Sequence, residues 1–203
     1  ATFTPGRDAA RKEASKLNVP RIGVRFRLPA SMNQVEYFGR GPAENYLDRN
    51  AGSMIGLYKS TAEELYFPYV RPQENGHHTD TRWVSLSTGK KGLLIQADNT
   101  IGFNALRNSI EDFDDEEATG LPRQWSNFTP EQVANHDEAA AKSVLRRQHH
   151  INDITPRDFV EVCVDLKQQG VAGYDSWGSR PEPAYTLPAN REYNWGFTLI
   201  PLK

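Results

Sequence analysis

The chain has 203 residues, few enough for a single all-β domain, with 37% hydrophobic, 25% charged and 10% aromatic residues, and the aromatic share is too high for a disordered chain. Lys plus Arg number 24 against 26 Asp plus Glu, a formal charge of −2, so the balance argues against nucleic acid or an anionic membrane as partner and favours neutral ligands. The longest apolar run falls short of a membrane span, and no signal-like segment opens the chain.

The start, ATFTPGRDAARKEASK, reads as a piece that begins inside a longer protein, with residues 1–20 as a connecting segment or strand remnant and 21–203 as one β-sandwich domain. RIGVRFRLP (21–29) alternates, which sets Ile22, Val24, Phe26 and Leu28 on one face and Arg21, Gly23, Arg25 and Arg27 on the other. Period-2 runs follow at residues 34–39, 82–87, 92–97, 158–166 and 191–201. The last predicts a core stripe of Tyr193, Trp195, Phe197 and Leu199. STGKKG (87–92) is a hairpin signal between two of these runs. One stretch breaks the pattern: in residues 128–150, Thr129 as N-cap, Pro130 at N1 and Gln132 at N3 precede an Ala-rich run, which predicts a short helical insertion around 129–148. The acidic residues 111–120 before it read as a solvated loop without a metal. Cys163, the single cysteine, sits in an apolar strand pattern as an inert core thiol, so the compartment, cytoplasmic or periplasmic, stays open.

Three polar-aromatic stretches hold the candidate chemistry. In residues 37–58, Gly39, Gly41 and Pro42 force a turn after a strand; no lysine follows to make a phosphate loop, and Asp48 and Arg49 are expected to tie the loop down through ion pairs. In residues 66–83, Glu74, Asn75, His77, His78 and Arg82 crowd together. Adjacent histidines on an extended chain point in opposite directions, which disfavours a shared zinc. Glu74 paired with His77 or His78 is a conceivable acid/base couple; the simpler reading has a buried Glu74 or Arg82 organising the loop. In residues 171–181, VAGYDSWGSRP, turn-forming residues surround Tyr174 and Trp177. Trp177 is either a peg driven into the core or a platform left for a ligand. Asp175 and Ser176 suit the shaping of that loop through a side-chain turn. No pair of carboxylates is singled out for glycoside cleavage.

Taken together, RIGVRFRLP, VEYFGRGPAENYLDR, PYVRPQENGHHTDTRW, GVAGYDSWG and the terminal FTLIPLK resemble, in that order, the C-terminal, small-chain or fifth, domain of family 2 glycoside hydrolases of the β-galactosidase type. The resemblance implies an all-β fold, an antiparallel supersandwich like that of galactose mutarotase, with two large sheets packed face to face, of which residues 21–203 would be a part, roughly its later two thirds. It implies hydrolysis of terminal β-D-galactosides with retention, by two glutamates of an upstream barrel domain that also holds magnesium and sodium. No catalytic residue, metal or cofactor is then expected in this chain, whose partners would be the upstream barrel and sandwich domains, the galactoside and, in some assemblies, further copies of the protein. It also makes Trp177 the residue that reaches into the barrel's active-site mouth as a stacking surface for the sugar on the aglycone side. Two other readings compete: a carbohydrate-binding or domain-assembly module without substrate contact, and a mutarotase-like aldose epimerase with His77 or His78 as acid and Glu74 as base.

Overall fold

A computed structural model describes residues 2–3, 18–113, 151–175 and 177–203. Among them nine strands are formed: β1 (Thr2–Phe3), β2 (Arg21–Pro29), β3 (Gln34–Gly41), β4 (Met54–Thr61), β5 (His78–Ser87), β6 (Gly92–Leu106), β7 (Phe159–Gln168), β8 (Tyr193–Asn194) and β9 (Phe197–Leu202). All pairings are antiparallel, the all-β class that the strand pattern and the resemblance lead one to expect. The chain divides into two compact units. The first comprises Ala1–Tyr66, Asn75–Arg107 and Asp158–Lys203, and the second Phe67–Glu74 and Asn108–Arg157.

The first unit is built on a seven-stranded sheet in the order β2-β7-β6-β5-β3-β4, with β9 also on β6; β1 and β8 form a separate two-stranded ribbon. β5 and β6 make the expected hairpin, its tip closed by the Thr88 N–H on the Lys91 carbonyl at 2.9 Å with Gly89 at φ 82°. β6 serves two neighbours in succession, Gly92 to Ala97 pairing with β9 and Gly102 to Leu106 with β7. The opposing β5 absorbs the change through register shifts either side of Thr81, next to Asp80 at φ 51°.

Val35, Tyr37, Val84, Leu86, Ile95, Phe103, Val160, Val162 and Val164 are buried to 2% exposure or less, and Cys163 lies among them at 3%. Each such side chain contributes about 1.5–3 kcal/mol of transfer free energy. The ring of His78 stacks on Phe103 at 5.1 Å and meets Tyr37 edge-on at 5.0 Å. Burial pushes the Tyr37 hydroxyl, which donates to the Pro42 carbonyl, above its ordinary range.

Several expectations need correction. Met54–Thr61 is a strand that begins inside the stretch of residues 37–58 read as a loop. It is an edge strand with Met54, Ile55 and Leu57 at 43–70% exposure, so it shows none of the apolar-in, polar-out alternation that announces a half-buried strand. The C-terminal run does not form one core stripe. It breaks at Trp195 and Gly196 into β8 and β9, and only Tyr193 is buried, at 6%, while Leu199 is 47% exposed. Val24, expected on the inner face of β2, is 40% exposed, because this edge strand has a bulge at Ile22/Gly23 and a neighbour on one side only. In the second unit, Asp112 is no solvated loop residue. It is buried in a 3-10 turn, Ile110–Phe113, and takes a bidentate ion pair from Arg157. Burial raises its carboxyl, but Arg157 and the Ser109 N–H outweigh this and hold it below the usual carboxylate range. The helical insertion expected around 129–148, and the acidic residues from 114 on, lie outside the described residues.

A buried polar chain links β2, β6 and β7. Arg21 holds Asp165 at 2.6 Å and donates to Asn104 Oδ1, which also accepts from His77 Nδ1 at 2.7 Å. Asp165 stands 3.8 Å from His77, but its charge is already claimed by Arg21, so it does little to hold a proton on the imidazole. Burial and the Arg21 guanidinium push His77 down to about 3, against a smaller upward pull from Asn104. Burial likewise lowers His78, against the pull of the Pro42 and Gly76 carbonyls. Both rings are therefore neutral in the folded chain and protonate only after unfolding, near pH 6.5. Their contribution to stability is complete above that pH and is lost as pH falls towards the folded values. As pH falls from 6.5 towards 4.5 the free energy of unfolding is expected to drop, by up to about 1.4 kcal/mol per pH unit from His77 and in the same direction from His78, read as the urea midpoint of this chain. His77→Gln should flatten part of that slope, and a midpoint constant over this window would contradict buried neutral histidines.

Candidate functional site

Residues 171–181 form a loop whose shape comes from its own small residues. Gly173 and Gly178 sit at φ 83° and 82°, the left-handed region glycine enters without strain. Asp175 Oδ1 accepts the N–H of Trp177 at 2.7 Å and that of Ser179 at 3.3 Å, the side-chain turn suggested at this position. The Gly173 N–H donates to Ser179 Oγ at 3.1 Å and the Tyr174 hydroxyl to the Arg180 carbonyl at 3.0 Å, two cross-ties over the turn. Ser176 lies outside the described residues. Trp177 is 94% exposed and Tyr174 67%. In this chain Trp177 is therefore no core peg; a large rigid apolar ring stands in solvent on a loop tied at both sides.

The root of the loop is pinned from elsewhere in the sequence. Asp48, just after the turn at Gly41 and Pro42, accepts the N–H groups of Val171 at 3.0 Å and Ala172 at 2.8 Å. Ala172 is at φ 53°, a conformation costly for a residue with a β-carbon, and a charge-assisted bond to its N–H offsets that cost. Gly170 lies against the same carboxylate, where a β-carbon would collide with it, while its N–H reaches the Tyr185 carbonyl at 2.8 Å. The ion pairs expected of Asp48 and Arg49 are accordingly divided: Arg49 pairs with Glu44 at 2.8 Å, and Asp48 serves backbone donors. A carboxylate's preference for remote backbone N–H groups over its neighbouring arginine leaves no mark in the sequence.

The turn that carries Asp48 is itself held on residues 75–79. The Asn45 N–H donates to the His77 carbonyl at 2.7 Å, and Asn45 Oδ1 accepts the Thr79 N–H at 3.0 Å and hydroxyl at 2.6 Å. Its amide nitrogen donates to the carbonyls of Arg40 and Ala43, both at 3.1 Å. Glu44 Oε2 accepts the Gly76 N–H at 2.7 Å. Tyr46 stacks on His77 at 5.6 Å and carries the Arg49 guanidinium on its ring at 5.1 Å. The fold thus joins part of all three polar-aromatic stretches: 37–58 contacts 75–79 through Asn45 and Glu44, and 171–181 through Asp48.

The remaining candidates are Arg82, Glu74, His77 and His78. Arg82 is half-buried on β5, donates to the Asp80 carbonyl at 2.6 Å and lies over the Phe38 ring at 5.6 Å. Glu74 is half-buried in the second unit. The fully buried polar side chains along residues 75–83 and against them include Asn45, Asn75, His77, His78 and Asn104. His77 and His78, at 1% and 0% exposure, are sealed in the core with lowered proton affinity, a poor position from which to protonate a ligand. Among the described residues, no three His, Cys, Asp or Glu side chains are grouped so as to hold a metal ion.

The family model described as β-galactosidase small chain matches residues 3–199. A β-galactosidase of Priestia megaterium is 35% identical over 185 residues, covering 91% of this chain and 15% of that protein. One of Arthrobacter sp. (strain B7) is 40% identical over 111 residues, 52% of this chain and 11% of that protein, and one of Vibrio cholerae is 29% identical over 181 residues, 89% and 14%. The chain thus spans 11–15% of the length of these relatives. A match over residues 3–199, on strands whose pairing matches the all-β expectation, shows that the chain belongs to the β-galactosidase small chain family.

Proposed function

We propose that this chain is the C-terminal sandwich domain of a retaining β-galactosidase, a family 2 glycoside hydrolase, and that it is non-catalytic alone and completes the rim of an active site whose two glutamates lie in an upstream barrel domain. The observation that carries the reading is Trp177, 94% exposed on a loop cross-tied by Asp175, Ser179 and Arg180 and pinned by Asp48. A pyranose presents a face of C–H groups that matches a flat indole, and a ring already held by its loop loses little entropy on binding. Trp177 then stacks on the aglycone sugar, and Asp175 with Ser176 shapes the loop. Magnesium and sodium, where the parent protein uses them, belong to the barrel.

The same reading gives the outer face of the sheet an occupant. Directly paired residues share a face, so Leu57, Phe38 and Trp83 form one row across β4, β3 and β5, with Ile55 beside it. Leu57 is 58%, Ile55 43% and Phe38 37% exposed, apolar surface suited to the preceding domains of the parent protein. A domain-assembly role therefore accompanies the rim role. A role as a mutarotase-like epimerase fares worse, since its acids would be two histidines sealed in the core.

In the full-length protein Trp177→Ala is expected to raise KM for lactose about tenfold, the equivalent of roughly 1.4 kcal/mol of stacking, or to alter transfer to glucose, with folding intact. An unchanged rate profile would sink the platform. Asp48→Ala frees the root of the loop and should move KM in the same direction by a smaller factor. Because both changes act through one ring, the double variant is expected to be no worse than Trp177→Ala alone, and additive losses would show that Asp48 acts elsewhere. Assayed on a chromogenic galactoside, the isolated chain should show no hydrolysis; turnover by it would overturn the assignment of the glutamates to the barrel.

A further inference from the structure

Trp177 is not the loop's only aromatic surface. Tyr174 is 67% exposed, and its hydroxyl donates to the Arg180 carbonyl at 3.0 Å, so the ring is fixed at both ends, by its own backbone and by a bond across the turn. The Gly173 N–H on Ser179 Oγ closes the backbone beside it. A ring held in this way keeps its faces open and has little freedom left to lose when a ligand covers one of them. If stiffness were the only requirement, a small side chain capping the Arg180 carbonyl would meet it without leaving apolar surface in water. Trp177 is three positions after Tyr174, so their backbones are at most about 11 Å apart, within reach of two linked pyranose rings.

We propose that Tyr174 is a specificity-determining residue, a second stacking surface that takes the second ring of the leaving group, so that the site favours galactosides with a disaccharide aglycone over those with a single sugar. The inference rests on the platform reading of Trp177 and extends it outward along the ligand. Tyr174 touches neither the scissile bond nor the galactose, so it discriminates between aglycones and leaves the chemistry alone.

The test is made in the full-length protein with three substrates: methyl β-galactoside, lactose, and a trisaccharide bearing a terminal β-galactose on a disaccharide. Measured against Tyr174→Phe, which already lacks the cross-tie, Tyr174→Ala is expected to lower kcat/KM for the trisaccharide five- to tenfold, through KM, and to leave the other two within about twofold. Tyr174→Phe keeps the ring and loses only the cross-tie, so it should retain most of the trisaccharide preference. Equal losses on all three substrates, no loss on any, or a Tyr174→Phe protein as impaired as Tyr174→Ala would overturn the proposal and leave Tyr174 as a brace for the loop. A Trp177→Ala protein that handles lactose normally would overturn the platform reading, and this inference with it; lactose has no second ring, so that failure is told apart from a failure of Tyr174 alone.

Discussion

The Asp48 carboxylate, bonded to two successive backbone N–H groups at the root of the 171–181 loop, is the contact on which the presentation of Trp177 depends. A loop of glycines, a proline and small polar residues buries too little apolar surface to choose one conformation by packing. A charged acceptor aimed at two adjacent donors supplies that choice instead, and fixes where the chain leaves β7. The left-handed Ala172 is tolerated because its N–H is one of the two donors. Gly170 is required because no β-carbon fits against the carboxylate.

Asp48 is effective only because its own turn is rigid. That turn hangs on Asn45 and Glu44, which reach the backbone of residues 76–79, where the chain enters the central strand β5 beside two buried histidines. Position is thus handed from the apolar sheet, through fully satisfied polar side chains, to an exposed aromatic ring more than a hundred residues away in sequence. Each step exchanges a polar group's water for a directed hydrogen bond, which gains little net stability but excludes alternative geometries. An indole standing in solvent, as Trp177 does, needs that kind of support, since an exposed ring buries too little surface to place itself.

Alternation was a reliable guide where a strand lies with one face on the core, as for β3 and the second half of β5, because period-2 burial writes itself into residue choice. It failed at β4, whose apolar Ile55 and Leu57 lie on the exposed face, and at the C-terminus, where Trp195 and Gly196 interrupt the run and most of β9 faces solvent. The loop's internal turn was legible from Asp175 and the flanking glycines, because a side-chain turn depends on neighbours only. The exposure of Trp177 was not: a tryptophan between glycines reads equally as a peg or a platform until its surroundings are known.

By itself the sequence determined the all-β class, most of the strands, the hairpin at residues 87–92, the turn chemistry of the 171–181 loop and, through the ordered motifs, the family. These follow from local propensity and short-range periodicity, which need no distant partner. Only the tertiary structure decided that Asp48 serves the Trp177 loop and leaves Arg49 to Glu44, that His77 and His78 are sealed and neutral, and that Trp177 and Tyr174 stand open. Those are contacts across tens to more than a hundred positions. Their energies depend on which groups the fold excludes from water, a property of the folded chain that no residue carries alone.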